Sequence, residues 1–107
     1  MDELISIIIP VHGEGASAEV CVNSFLLGSV QNIEVLIIAE TGDPTADLLL
    51  HTYENEPRVT VLVMMASGVS AKRNLGLDHA KGSLIVFADA DDYADPDELR
   101  TLSSLLG

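Results

Sequence analysis

Three carboxylates stand within four consecutive residues, directly after an apolar run. Residues 84–88 are Leu-Ile-Val-Phe-Ala, and Asp89, Asp91 and Asp92 follow them. Like charges at this spacing repel one another, so the cluster is costly unless a cation or several hydrogen-bond donors compensate it. Carboxylate oxygens suit hard divalent cations such as Mg²⁺, Mn²⁺ or Ca²⁺. The chemistry that this stretch indicates is therefore the binding of a divalent metal ion.

The acidic residues further along have a simpler interpretation. Residues 95–98 read Asp-Pro-Asp-Glu, which places a capping acid, a proline at the first helical position and acids on the first turn. We interpret them as the start of a helix. A calcium loop of the EF-hand type does not fit. Counted from Asp89, the sixth position is Ala94 instead of glycine and the twelfth is Arg100 instead of glutamate.

The elements that position these residues alternate regularly along the chain. Continuous β-branched runs predict strands that are buried on both faces, and amphipathic stretches between them predict helices. The predicted strands are residues 4–10, 33–39, 59–64 and 83–88, and the predicted helices are residues 17–27, 45–56, 69–80 and 96–106. This βαβαβαβα order predicts an α/β fold with a parallel sheet and helices on both faces. Ligands of such sheets bind at the carboxyl ends of the strands, where His12, Glu40 and Asp89 are expected to converge.

Composition excludes several classes of partner. The chain has 107 residues and a net charge of −12, which argues against nucleic-acid phosphates or anionic lipid as a ligand. Only five basic residues are present, so a phosphate-bearing ligand would need a metal ion or backbone amides as well. Cys21 is the only cysteine, which excludes an intrachain disulfide, and we expect it in the core. With no basic leader and no apolar stretch of about 20 residues, the expected compartment is cytoplasmic and membrane association is not indicated.

Four segments together resemble the nucleotide-sugar-binding half of a family-2 glycosyltransferase with the GT-A fold. They are ISIIIPVHGE at residues 5–14, IEVLII at 33–38, GVSAKRNLG at 68–76 and FADADDY at 87–93. The resemblance implies a three-layer, Rossmann-like parallel sheet of order 3-2-1-4. It also implies that residues 1–107 are a single donor domain without the acceptor half. The implied reaction is inverting transfer of a sugar from a nucleoside-diphosphate sugar to an acceptor hydroxyl. We assign no general base in this chain, and we expect little transfer activity and some self-association from it alone.

The resemblance also implies the roles of individual residues. Asp91 corresponds to the metal ligand of the family's Asp-x-Asp motif, with Asp89 beside it facing the ribose or sugar, and the implied cofactor is Mn²⁺ or Mg²⁺. Arg73 corresponds to a basic residue near the diphosphate. The remaining residues expected to contact the nucleotide sugar are Pro10, His12, Glu14, Glu40 and Ala90, with the His12 ring stacking on the base.

Two positions depart from the family pattern. Ala39 stands where the first of two aspartates usually contacts the base, and Gly13 stands where asparagine is common. Ala39 has no polar side-chain atom, so it cannot make that contact.

Other interpretations of the same residues remain open at this point. Lys72 and Arg73 could form a solvated helix face. Residues 13–18 match G-x-G-x-x-A after a strand, and Glu40 ends the second strand, as in a dinucleotide-binding module of the NAD type. That alternative leaves the Asp89 to Asp92 cluster unexplained. A third alternative is a non-catalytic domain that binds a nucleotide or a metal ion.

Overall fold

Strands and helices alternate through the whole described part of the chain. The computed structural model describes residues 4–13, 15–65 and 68–90. Its elements are β1 (Ile5–Pro10), α1 (Gly15–Leu26), β2 (Ile33–Glu40), α2 (Pro44–Thr52), β3 (Val59–Met64), α3 (Val69–His79) and β4 (Leu84–Phe87). The predicted helix at residues 96–106 lies outside the described residues.

The four strands form one parallel sheet of order β3-β2-β1-β4, which confirms the predicted topology. β1 lies at the centre, where Ile7 pairs with Val35 of β2 on one side and with Val86 of β4 on the other. All six residues of β1 are buried. Burial on both faces explains why the strand is a continuous apolar run instead of an alternating one.

Alternate residues of the central strands pack into two separate cores. Ile5, Ile7 and Ile9 belong to a cluster that includes Cys21 of α1 and Leu49 of α2. Ile8, Leu36 and Ile38 belong to a second cluster, against which Leu75 of α3 packs. The helices therefore cover both faces of the sheet, as expected of a three-layer fold. Cys21 is fully buried, as predicted.

Several predicted boundaries are wrong by one residue, and the start of α1 and the end of α2 are wrong by two and four residues. α1 begins at Gly15 instead of residue 17, because Gly13, at φ 73°, turns the chain from β1 into the helix within a short loop. α2 ends at Thr52 instead of residue 56. The reason is tertiary: the next residue, Tyr53, is buried and its hydroxyl lies 3.0 Å from Asn23 Oδ1 of α1. β2 extends to Glu40, which pairs with Met64 in the sheet.

The amino end of the sheet is closed by a polar network that lies away from the expected site. Ser6 donates to the Glu34 carboxylate over 2.5 Å, and the Gly82 amide donates to the Ser6 hydroxyl over 2.8 Å. A Cβ at Gly82 would lie only 2.5 Å from that hydroxyl oxygen. This network fixes the connection between α3 and β4, so it supports the fold.

Burial falls off towards β4. Leu84, Ile85 and Val86 are half-buried and Phe87 is 45% exposed, whereas every residue of β1 is buried. In the part of the chain that the structure describes, every helix is too short or too polar to cross a membrane.

Candidate functional site

The carboxyl edge of the sheet collects ionisable side chains from three strands and one helix. His12 follows β1, Glu40 ends β2, and Asp89 follows β4. α3 packs against β1 and β2 and contributes two consecutive cations, Lys72 and Arg73. Parallel strands end at the same edge, so the topology brings these residues together although they are up to 77 positions apart in the sequence.

Glu40 is a buried carboxylate with a partner on each oxygen. Its Oε2 lies 2.6 Å from His12 Nδ1, and its Oε1 lies 3.3 Å from Lys72 Nζ. The side chain is 7% exposed. The hydrogen bond from His12, followed by the interactions with Lys72, lowers the pKa of Glu40 below its ordinary value. Glu40 is therefore ionised at neutral pH, and it can only accept hydrogen bonds.

Lys72 is buried, which makes the interpretation of a solvated helix face wrong for this residue. Only 5% of its side chain is exposed, and Nζ donates to the Val11 carbonyl oxygen over 2.9 Å as well as contacting Glu40. Sequence reasoning did not assign Lys72 to the site. The sequence contained one signal, a glycine at residue 76, four residues later on the same helix face. In the structure this face packs closely against Ile8 of the sheet.

Asp43 is a second residue that the sequence placed only in a turn. It caps α2, with Oδ1 accepting from the Thr45 amide over 3.0 Å. Its Oδ2 accepts from the Gly13 amide over 2.9 Å. The Thr45 hydrogen bond is the main cause of a lowered pKa of Asp43. Asp43 thus joins the start of α2 to the loop that carries His12.

His12, Glu40 and Asp43 offer ligand atoms within 4.8 Å of one another, a spacing that could hold a metal ion. Their charge is already compensated by the protein. The Lys72 ammonium contacts Glu40, and both Asp43 oxygens accept backbone amides. A dication here would have to compete with these donors, so the chemistry of the group fits a metal ion poorly.

Asp89 is in the opposite situation, because its side chain is 63% exposed. Arg73 Nη2 lies 4.0 Å from Asp89 Oδ1, and the guanidinium carbon lies 5.3 Å from the Phe87 ring centroid. Arg73 Nε is buried and has no hydrogen-bond partner among the described residues. The Cys21 thiol donates to the Asp89 carbonyl oxygen over 3.4 Å, so α1 also helps to hold this turn.

The structure places the expected site residues in two neighbouring groups. His12 and Glu40 form one group with Lys72, and Pro10 ends the adjacent strand. Arg73 and Asp89 form the other, next to the buried Ala90. Consecutive residues of α3, Lys72 and Arg73, join the two groups. Glu14 and Asp91 lie outside the described residues.

The sequence profile described as "Glycosyl transferase family 2" matches residues 6–106. The chain belongs to this family. Family membership confirms the resemblance seen in the sequence, and it disfavours the dinucleotide-binding alternative, which left the residues after β4 unexplained.

Curated relatives are longer than this chain. The chondroitin synthase of Pasteurella multocida is 34% identical over 98 residues, which cover 91% of this chain and 10% of the synthase. The uncharacterized glycosyltransferase EpsJ of Bacillus subtilis is 31% identical over 94 residues, covering 87% and 27%. The glycosyltransferase GlyA of Streptococcus pneumoniae is 27% identical over 103 residues, covering 95% and 15%. The chain thus spans less than a third of each of these three proteins.

Solved structures confirm the fold. TarS 1–349 of Staphylococcus aureus in complex with UDP-GlcNAc superposes with a TM-score of 0.83 at 21% identity, covering 95% of this chain and 30% of TarS. The mannosyltransferase PcManGT of Pyrobaculum calidifontis, in complex with GDP-Man and Mn²⁺, gives 0.82 at 22% identity, covering 92% and 31%. The four-stranded sheet of order 3-2-1-4 is therefore the GT-A sheet expected from the sequence.

Proposed function

We propose that this chain is the donor-binding domain of a metal-dependent glycosyltransferase, which moves a sugar from a nucleoside-diphosphate sugar to an acceptor hydroxyl. The observation that supports this most is the pairing of Arg73 with an exposed Asp89 at the carboxyl edge of a family-2 sheet. Two neighbours in fold, TarS and PcManGT, are solved with UDP-GlcNAc and with GDP-Man.

The residues after β4 fit a divalent cation. Asp89 presents an exposed carboxylate, and oxygen ligands of this type suit Mn²⁺ and Mg²⁺. Asp89 and Asp91 would hold the ion, and PcManGT is solved with Mn²⁺. Bound there, the ion supplies positive charge to the diphosphate of the donor, which this acidic chain would otherwise repel.

Arg73 is the protein's own cation for the diphosphate. Phe87 supports its guanidinium group from one side, and the buried Nε has an unmet hydrogen-bond requirement among the described residues. The Arg73 side chain as a whole is 39% exposed, so a phosphate oxygen can reach the outer part of the guanidinium group and form a charge-assisted hydrogen bond there. We assign Arg73 to binding and orienting the diphosphate.

His12 is the contact for the base. Its side chain is 79% exposed at the end of β1, whereas Ala39 is fully buried and apolar. Stacking on an imidazole ring accepts any base, because every base has a π-face. The base is thus held by the loop after β1, with no contribution from the side chain of residue 39.

The reaction proposed is an inverting transfer. The acceptor hydroxyl loses its proton to a general base and attacks the anomeric carbon as the bond to the nucleoside diphosphate breaks. We assign the role of general base to none of these 107 residues; the chain spans 10–15% of the chondroitin synthase and GlyA that it matches.

Substitution of Asp91 tests the metal assignment. We expect Asp91→Asn to abolish the Mn²⁺-dependent binding of UDP-sugars or GDP-sugars, measured by calorimetry, because the ion loses a charged ligand. Asp97→Asn is the matched control, since it removes one negative charge from the same acidic stretch at a residue interpreted as helix capping. Binding by Asp91→Asn that equals that of the control would show that Asp91 is not a ligand. Unchanged far-ultraviolet circular dichroism should confirm that both variants fold.

A further inference from the structure

Three consecutive residues of the loop after β1 are each held by a side chain from a different element. Lys72 of α3 binds the Val11 carbonyl, Glu40 of β2 binds the His12 ring, and Asp43 binds the Gly13 amide. The loop is thus restrained at every residue from 11 to 13, although it contributes little apolar burial beyond Val11.

We propose that Glu40 and Lys72 are positioning residues, which fix the His12 imidazole in one orientation and one tautomer to receive the nucleobase. This inference rests on the proposed function for the identity of the ligand. The two residues act on neighbouring positions of the loop. Lys72 fixes the backbone at Val11, and Glu40 fixes the side chain of the next residue, His12.

The tautomer follows from the charge of Glu40. An ionised carboxylate only accepts hydrogen bonds, so the proton in the 2.6 Å contact belongs to His12 Nδ1. The ammonium group of Lys72 on the other carboxylate oxygen supports the ionised form. The imidazole is therefore oriented before any ligand arrives, and binding does not have to order it.

Stability alone does not explain this pair. Glu40 and Lys72 are both more than nine-tenths buried, and a buried ion pair can often be replaced by apolar residues of similar volume without loss of stability. The combined substitution Glu40→Leu with Lys72→Met uses this property. It removes both buried charges together and leaves neither unpaired, but it also removes the anchor of His12.

The first test needs no ligand. At a pH where the imidazole is neutral, nitrogen-15 NMR of the histidine side chains should show His12 as a single Nδ1–H tautomer in the unsubstituted chain. In the Glu40→Leu/Lys72→Met variant the share of the Nδ1–H tautomer should fall, because the Glu40 carboxylate no longer accepts that proton. An Nε2–H ring in the unsubstituted chain would overturn the proposal, whether or not the double variant folds.

The second test separates positioning from folding. Each single substitution, Glu40→Leu or Lys72→Met, should lower the melting temperature because it leaves one buried charge unpaired, and the double variant should regain most of that loss. Its Kd for UDP or GDP with Mn²⁺ should nevertheless rise about tenfold, the lower end of the range seen when the outer partner of a metal-bound histidine is lost. An affinity that recovers together with stability would contradict the proposal.

His12→Ala completes the experiment. It should weaken nucleotide binding by a similar factor, and it should add little to the double variant, because both changes remove the same contact. Losses that add in full would show that the pair acts elsewhere. If the unsubstituted chain binds none of these nucleotides, the proposed function fails, while the tautomer measurement still decides the role of the pair.

Discussion

Among single residues, Glu40 and Lys72 determine the charge balance at the carboxyl edge. The positive charge of Lys72 compensates the negative charge of Glu40 at an edge that also carries Asp43 and Asp89. Asp43 is satisfied by backbone amides, which leaves the exposed Asp89 as the described carboxylate most accessible to an external cation. The proposed metal site at Asp89 and the group around His12 are therefore two distinct sites at the same edge of the sheet.

The lowered pKa of Glu40 predicts a pH dependence of stability. Its folded-state pKa lies below its ordinary value of 4.5, so its contribution is present above that value and is lost as the pH falls through the folded pKa. Urea unfolding should therefore show a smaller loss of stability between pH 7 and pH 3 for Glu40→Leu/Lys72→Met than for the unsubstituted chain. Asp43 and Glu56, whose pKa values are also lowered, remain in both proteins and serve as the internal reference. Equal losses in the two proteins would rule out this contribution.

Among the elements, α3 connects the fold to the site. Its close approach to the sheet is possible because residue 76 has no side chain: a Cβ there would lie 2.6 Å from Ile8 Cγ2. This approach is what brings Lys72, one turn earlier, within reach of Val11 and Glu40.

Gly76→Ala should therefore destabilise the protein. Overpacking of a closed core costs about 1–3 kcal/mol, and the better helix propensity of alanine offsets up to about 1 kcal/mol of this. Ile8 is fully buried and β-branched, so it cannot move aside easily. Asp78→Ala, on the exposed face of the same helix, is the matched control and should be nearly neutral. Chemical denaturation compares the two, and a Gly76→Ala variant at least as stable as the control would refute the packing explanation.

The elements were predictable wherever local pattern and burial agree. β1 and β2 are buried on both faces, so their continuous apolar runs marked them within one residue at each end. The end of α2 was not predictable, since it depends on the burial of Tyr53 against α1. Lys72 was missed for the same kind of reason: a lysine on a helix usually faces solvent, and only the tertiary position of Glu40 gives it a buried partner.

At the scale of the whole molecule, both edge strands of the sheet are less well covered than its two central strands, and β3 exposes Thr60 and Val63. β4 is half-buried and ends in the exposed Phe87, while the curated relatives extend well beyond the matched length. Among the described residues, β4 also has no strand paired to its outer edge, so its backbone groups there are accessible to another chain.

The isolated chain should therefore self-associate as its concentration rises, which sedimentation velocity measures. The Leu27→Ser/Met65→Ser variant is the control, because it removes the two most exposed large apolar side chains of the described residues, at 86% and 81% exposure. Association that persists in this variant would implicate the remaining exposed apolar surface, which includes both edge strands. A monomer at all concentrations would contradict the prediction.

The most direct test of the proposed function is titration calorimetry of the unsubstituted chain with UDP-sugars and GDP-sugars, with Mn²⁺ and after its removal by a chelator. We predict binding with Mn²⁺ and at least a tenfold weaker affinity without it, as expected for the loss of a metal bridge between carboxylates and a diphosphate. Nucleotide-sugar binding that ignores the chelator, or metal-independent binding of NAD(H) in its place, would contradict the assignment of this chain as a metal-dependent donor domain.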